Sequence, residues 1–112
     1  MKWSIVLLGL CTFGALASAA DIGLDEVQQL GRLNGQALAC AQQENISRIK
    51  TVMITHAPKS RQYGASFEQS TNEAFLQRTA ASQDCGDASL IALQVESLAA
   101  RLQQLFAAPR QQ

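Results

Sequence analysis

Apolar residues recur at spacings of three and four in four stretches of this 112-residue chain, whereas the strict alternation typical of β-strands is almost absent. This pattern predicts four α-helices. The stretches run from about Leu24 to Gln43, Asn45 to His56, Ser60 to Ala81 and Asp87 to Ala107. Short connections between helices of about 12 to 20 residues indicate an antiparallel arrangement. The predicted fold class is therefore all-α, a small antiparallel four-helix bundle closed at one end by a disulfide.

One face of each predicted helix carries most of its large apolar residues, and this face is expected to form the core. The expected core residues are Leu24, Val27, Leu30, Leu33, Leu38, Ala41, Ile46, Ile49, Val52, Met53, Tyr63, Phe67, Ala74, Phe75, Ile91, Val95, Leu98, Leu102 and Leu105. The fourth helix has the strongest apolar stripe, and we expect it to pack against the first and third. Asp21, Asn45 and Asp87 are the predicted N-caps, because short polar side chains accept hydrogen bonds from the unpaired amides there.

Gly31, Gly35 and Ala39 form a stripe of small residues at spacings of four within the first predicted helix. Each glycine inside a helix costs about 1 kcal/mol relative to alanine, so the stripe needs a structural reason. The favoured reason is close approach by a neighbouring helix. The alternative is a groove that receives a ligand or a partner helix. A membrane-type helix pair is excluded, because polar residues such as Gln29 and Arg32 interleave the stripe.

The first 19 residues have the features of a secretory signal peptide. Lys2 gives a positive start, residues 5–16 are mainly apolar, and residues 17–19 read Ala-Ser-Ala, a small-residue cleavage site. The apolar run is shorter than the roughly 20 residues that span a bilayer, so we expect no membrane span after cleavage. We therefore expect residues 1–19 to be removed and residues 20–112 to form a single helical domain. The expected location is a periplasm or the outside of the cell.

Cys40 and Cys85 remain after the predicted cleavage, whereas Cys11 lies within the leader. Cys40 is near the end of the first apolar stretch, and Cys85 is in the polar break before the last one. In an up-down-up-down bundle these two positions lie at the same end. Because an exported chain enters an oxidising compartment, we expect Cys40 and Cys85 to form a structural disulfide.

Charge is balanced over the chain, with nine Lys and Arg against nine Asp and Glu. Removal of the leader takes away Lys2, which leaves eight cations against nine acids and a net charge of about −1. Such a balance argues against a nucleic-acid binder and against a strongly cationic, membrane-active peptide.

Residue types that carry catalysis or bind cofactors do not form a known motif. The chain has one histidine, His56, and it lacks a Gly-x-Ser-x-Gly turn, a Cys-x-x-Cys pair and a Gly-rich phosphate loop. We therefore expect no enzyme activity, no catalytic residue and no cofactor. Met53 and His56 stand three residues apart on one predicted helix face, and a thioether and an imidazole suit copper. Two ligands do not make a site, so no metal site is assigned.

The segment from Asn45 to Phe67 contains several cations and no acid. It joins the second and third predicted helices through a turn at Pro58. Surface loops that carry Arg and Tyr are typical recognition sites. The alternative is a solvated loop whose cations favour the C-terminal end of a helix dipole. The residues predicted to bind a partner are Arg48, Lys50, His56, Lys59, Arg61 and Tyr63.

At the level of architecture, the chain is similar to small exported helical proteins with one disulfide, such as acid-stress chaperones of the bacterial periplasm and secretion pilotins. The shared features are size, a leader and two distant cysteines, so no residue role is transferred. The leading hypothesis is an exported helical accessory protein that acts by protein–protein interaction, with its oligomeric state open. The alternatives are an acid-stress chaperone-like protein and a periplasmic carrier of a metal or small ligand, at the Met53/His56 face or the Gly31/Gly35 stripe.

Overall fold

The computed structural model describes residues 22–81 and 84–107. Within these residues the chain forms four α-helices and no β-strand, which confirms the all-α fold class. The helices are α1 (Leu24–Ala39), α2 (Gln43–His56), α3 (Arg61–Ala81) and α4 (Ala88–Phe106). None of these described helices is long and apolar enough to cross a membrane. The predicted signal peptide at 1–19 and the predicted cap at Asp21 lie outside the described residues.

Contacts between α1 and α3 follow the same order along both helices. At one end the Tyr63 hydroxyl donates to the Ile22 carbonyl oxygen at 2.7 Å. Further along both helices, the Asn34 amide donates to the Thr71 hydroxyl at 3.2 Å. The two helices are therefore parallel neighbours.

Contacts of α4 show that it runs in the opposite direction to α1. Arg101, near the end of α4, binds Glu26 near the start of α1 at 3.1 Å. The start of α4 lies instead beside the start of α2, where the Asn45 amide donates to the Ala88 carbonyl oxygen at 3.0 Å. The chain thus runs up, down, up and down, as the sequence predicts.

The central helix of the bundle is α1. It packs against α2, α3 and α4, and α2 also packs against α4. Within the described residues the backbones of α3 and α4 are not in contact, although the rings of Tyr63 and Phe106 meet edge to face. The expectation that the fourth helix packs against the third is therefore wrong. The core stripe of α4 is covered by α1 and α2, and α3 lies against another face of α1.

The small-residue stripe of α1 is where α3 comes closest. A Cβ atom built on Gly31 would stand 2.7 Å from both the Phe67 carbonyl oxygen and the Ser70 Cβ atom. A Cβ atom on Gly35 would overlap the Thr71 carbonyl oxygen. The stripe therefore serves helix packing, as favoured from the sequence, and the alternative of an open groove at Gly31 and Gly35 is wrong.

The core lies mainly between α1, α2 and α4. Its largest fully buried side chains are Val27, Leu30, Ile49, Val52, Val95 and Leu102. All six are core residues in the sequence prediction, because they continue the apolar stripes of their helices. Beyond Tyr63 at its first turn, the buried residues of α3 are small or polar, namely Ser70, Thr71 and Ala74.

Four expected core residues are exposed instead, for reasons of position. They are Leu38, Ala41, Phe75 and Leu105. α1 ends at residue 39, so Leu38 lies in its last turn. Ala41 follows in the connection to α2, where its φ is positive at 54°. Leu105 likewise lies in the last turn of α4. Phe75 is 37% exposed, next to the buried Ala74 on α3.

Two predicted N-caps fall within the described residues and have different outcomes. Asp87 caps α4 as predicted, since its carboxylate accepts a hydrogen bond from the Ser89 backbone amide at 2.9 Å. Asn45 is not a cap, because α2 begins two residues earlier. Its buried side-chain amide donates instead to the Gln42 side chain and to the Ala88 carbonyl oxygen, which ties the start of α2 to the start of α4.

Cys40 and Cys85 form the predicted disulfide, which joins the end of α1 to the segment before α4. Their Cα atoms are 5.6 Å apart, and the two cysteines are separated by 45 residues along the chain. Closing a loop of this length stabilises the fold by roughly 4 kcal/mol in the chain-entropy account.

Candidate partner-binding surfaces

The connection between α2 and α3 positions two of the predicted contact residues, Lys59 and Arg61. Pro58 cannot continue a helix, and Ala57 before it takes an extended conformation with φ −86° and ψ 149°, so α2 ends there. The Lys59 ammonium donates to the Ile54 carbonyl oxygen, one of the last carbonyls of α2 that lack a partner within the helix. α3 then begins at Arg61.

Exposed cations lie before and after Ile54 on the hairpin of α2 and α3. This side chain is 63% exposed and lies one turn after the exposed Lys50 on the same face of α2. Lys59 bonds the carbonyl of Ile54, and Arg61 is exposed two residues further on. The side chains of Lys50 and Arg61 form no ion pair or hydrogen bond with any described residue. We call Lys50, Ile54, Lys59 and Arg61 the basic hairpin surface.

Arg48 belongs to the contact between α2 and α4. Its Nε and Nη2 atoms donate to the two carboxylate oxygens of Glu96 at 2.6 and 2.8 Å. These hydrogen bonds, together with the charge attraction, outweigh desolvation and raise the pKa of Arg48 while they lower the pKa of Glu96. The positive charge of Arg48 is therefore compensated within the molecule.

Tyr63 and His56 lie closer to the core than the exposed cations do. Tyr63 is 5% exposed, its hydroxyl bonds Ile22, and its ring contacts Phe106 with a centroid distance of 6.0 Å. His56 is half-buried and borders a shallow depression together with Leu102 and Phe106. Tyr63 is thus an interior residue, and His56 lies where the core meets the surface.

Met53 and His56 remain the residues of the metal-carrier alternative. Met53 is half-buried and packs against the core, one turn before His56 on α2. No group of three or more His, Cys, Asp or Glu side chains that could hold a metal ion occurs in the described ranges 22–81 and 84–107. The metal-carrier hypothesis stays a prediction.

A second surface, which sequence reasoning missed, lies between the start of α2 and the first half of α4. It is a groove of about 640 Å³. Its apolar lining includes Ala88, Ala92 and Leu93, and its charged lining consists of Glu44 and Glu96. Leu93 is 67% exposed. We call this feature the α2–α4 groove.

The leucines beside this groove carry a signal in the sequence. The core stripe of α4 runs through Val95, Leu98 and Leu102 at spacings of three and four. Leu90 and Leu93 fall outside that stripe, and they are 58% and 67% exposed. Two leucines off the core stripe of an amphipathic helix indicate a second apolar face.

Comparisons with known proteins leave the class of the protein open. Protein-family models, curated proteins and solved structures all give no match to the chain. The function is therefore inferred from the fold, the disulfide and the two surfaces.

Proposed function

We propose that this chain is a small exported helical protein that binds another protein through the basic hairpin surface. The observation that carries the proposal is the pair of unpaired cations, Lys50 and Arg61, on the same helical hairpin as the 63% exposed Ile54. Cations around an apolar side chain attract an acidic partner and also bury apolar area on contact. The proposed role is that of an accessory or adaptor protein.

The charge of the whole chain favours a protein partner over a nucleic acid. The formal net charge is zero and the isoelectric point is about 6.5. Domains that bind nucleic acids commonly have isoelectric points above about 9. Three exposed cations and one exposed isoleucine on the same hairpin suit an acidic polypeptide better than a phosphate backbone.

The Cys40–Cys85 disulfide supports export as part of this proposal. Structural disulfides persist in oxidising compartments, whereas cytosolic thiols are kept reduced. Together with the predicted leader at 1–19, the disulfide favours a periplasmic or secreted location. The partner would then be another exported protein or the exported part of a membrane protein.

The test combines partner capture with charge reversal. The protein is crosslinked in the exported fraction of its own cells, the partner is identified by mass spectrometry, and affinity is then measured with purified components. We expect the Lys50→Glu/Arg61→Glu variant to bind the partner at least about tenfold more weakly, because two attractive contacts become repulsive. Lys59 is left unchanged because it bonds the end of α2.

The matched control is Arg32→Glu. Arg32 is exposed on α1 and, like Lys50 and Arg61, forms no ion pair with a described residue. An equal loss of affinity in the control, or full affinity in the Lys50→Glu/Arg61→Glu variant, would contradict the assignment of this surface. Capture of no protein partner at all would contradict the proposed function itself. The acid-stress chaperone alternative stays a prediction, and many weak partners instead of one would favour it.

A further inference from the structure

We propose that the α2–α4 groove is a second binding site, which takes an amphipathic and positively charged segment of a partner protein with its apolar side on Leu93. This site goes beyond the function proposed above, because the basic hairpin surface needs an acidic partner. The two surfaces therefore select opposite charges.

Leu93 supplies the main apolar contact of the groove. Leu93 is 67% exposed, and Leu90, less than one turn earlier on α4, is 58% exposed. Ala88 and Ala92 add small apolar side chains to the lining. A single exposed leucine is ordinary, but Leu90 stands three residues before Leu93 on the same helix, so the two extend the apolar surface from the groove along α4.

The charge of the lining selects a cationic occupant. Glu44 and Glu96 line the groove, whereas its described lining contains no Lys, Arg or His. Glu96 is already paired with Arg48, but Glu44 forms no ion pair with a described residue. A Lys or Arg of the partner would therefore meet an uncompensated carboxylate at Glu44, and an acidic segment would be repelled.

The size of the groove suits one face of a helix. Its α4 side runs from Ala88 to Glu96, which corresponds to about 12 Å or roughly two helical turns. The groove is shallow, because lining residues such as Gln43 and Ser89 are exposed. Small-molecule sites bury most of their ligand, whereas helix-in-groove binding needs only a few anchoring side chains at helical spacing.

The walls of the groove are held in place before a partner binds. The Asn45 side chain, 6% exposed, donates to the Ala88 carbonyl oxygen and joins the two helix starts. The bidentate Arg48–Glu96 pair joins the same helices about two turns further along α4. A preformed groove avoids the free-energy cost of ordering its walls on binding.

The test is a fluorescence anisotropy titration of the full protein with a labelled helical peptide of Leu and Lys, in which Leu recurs at spacings of three and four. A peptide with Glu in place of every Lys is the charge control. We expect saturable binding of the Lys peptide and at least about tenfold weaker binding of the Glu peptide. We expect Leu93→Ser to weaken binding of the Lys peptide about tenfold, since it removes the apolar side chain that the peptide would bury.

Two variants distinguish binding in the groove from binding elsewhere on the surface. Leu76→Ser is the matched control, because Leu76 is 63% exposed on α3 outside the groove, and we expect it to bind like the unaltered protein. The Lys50→Glu/Arg61→Glu variant should also bind the Lys peptide without loss, because it leaves the groove unchanged. A missing groove site and a wrong assignment of the basic hairpin surface therefore give different results. Circular dichroism of each variant reports whether its helices are intact.

Results of three kinds would overturn the proposal. The first is no saturable binding of the Lys peptide at about millimolar concentration. The second is an equal loss of binding in Leu93→Ser and Leu76→Ser, or equal binding of the Glu peptide. The third comes from sedimentation equilibrium of the protein alone: a dimer that Leu93→Ser dissociates would assign the groove to a second copy of the chain.

Discussion

The Tyr63 side chain joins three parts of the molecule. It lies in the first turn of α3, its hydroxyl bonds Ile22 just before α1, and its ring contacts Phe106 at the end of α4. The buried ring supplies most of the contribution of Tyr63 to the free energy of unfolding. The hydrogen bond of its buried hydroxyl adds about 1 kcal/mol net. Tyr63 therefore holds the open end of the bundle, opposite the disulfide.

We expect Tyr63→Phe to lower the free energy of unfolding by about 1 kcal/mol and Tyr63→Ala to lower it by about 3–5 kcal/mol. The first variant loses the hydroxyl alone, whereas the second leaves a cavity beside Phe106. Urea unfolding followed by circular dichroism measures both values. The exposed neighbour Gln62→Ala is the control, with a change below about 0.5 kcal/mol. Equal effects of the Phe and Ala variants would contradict the described role of the ring.

The Arg48–Glu96 pair has a defined pH dependence. The pKa of Glu96 lies below its ordinary value of 4.5 in the folded state, chiefly because Arg48 hydrogen-bonds the carboxylate. The folded state therefore binds fewer protons than the unfolded state in this range. The stabilisation is fully present above the ordinary pKa and is lost as pH falls through the lowered folded-state pKa. Arg48 stays protonated throughout, because its pKa is raised.

We expect Glu96→Gln to lower the free energy of unfolding by less than about 1 kcal/mol at neutral pH, because both side chains are about half exposed. The difference between the variant and the unaltered protein should shrink as the pH falls below 4.5. Urea unfolding at a series of pH values measures this difference. If the difference in unfolding free energy between Glu96→Gln and the unaltered protein stayed constant across the pH series, that would contradict a stabilising Arg48–Glu96 pair.

At the scale of the helices, α1 uses two different kinds of contact. Its Val27 and Leu30 are fully buried in the core that α1 forms with α2 and α4. Its Gly31 and Gly35 instead allow the backbone of α3 to approach directly. The first contact depends on apolar area, and the second depends on the absence of side chains.

We expect Gly35→Ala to lower the free energy of unfolding by about 1–3 kcal/mol, because its Cβ would overlap the α3 backbone at Thr71 and Phe75. Gly64→Ala is the matched control on α3. A Cβ at Gly64 meets nothing within 4 Å, so alanine there should stabilise the helix by about 0.5–1 kcal/mol. Urea unfolding gives both values. A gain of stability in both variants would contradict the close contact between α1 and α3.

The helices could be predicted from the sequence, but their neighbours could not. A 3.6-residue apolar period shows which side of a helix is buried, and it does not show which helix covers that side. The Gly31–Gly35 stripe likewise indicates that another helix approaches closely, but it does not identify α3 as that helix. The disulfide could be predicted because helix direction alone brings Cys40 and Cys85 to one end.

The candidate surfaces could be predicted only in part. The run without acids indicates a basic hairpin, and its exposed members Lys50 and Arg61 follow from their positions off the apolar stripe. The pairing of Arg48 could not be predicted, because its partner Glu96 is 48 residues away. The burial of Tyr63 could be predicted from the apolar face of the third helix. Its contacts with Ile22 and Phe106 could not, because both partners are distant in sequence.

For the whole molecule, the Cys40–Cys85 disulfide closes the end where α1 finishes and α4 is about to begin. Reduction, or the Cys40→Ser/Cys85→Ser variant, should lower the free energy of unfolding by up to about 4 kcal/mol. The helices should persist, because the core between α1, α2 and α4 does not include the sulfurs. Thermal unfolding with and without reductant measures the change. An unaltered melting temperature would contradict a stabilising role for the bond.

The one-sided attachment of α3 has a consequence for local opening. Among the described helices only α1 has backbone contacts with α3. Past Tyr63 the buried side chains of α3 are small or polar, and Phe67 is only partly buried, so less apolar area holds α3 in place than holds α1, α2 and α4 together. We therefore expect α3 to detach before the three-helix unit of α1, α2 and α4 opens. Amide hydrogens in the middle of α3 should exchange with solvent faster than those of α1 at Leu30, and each such opening uncovers the glycine face of α1 for a moment.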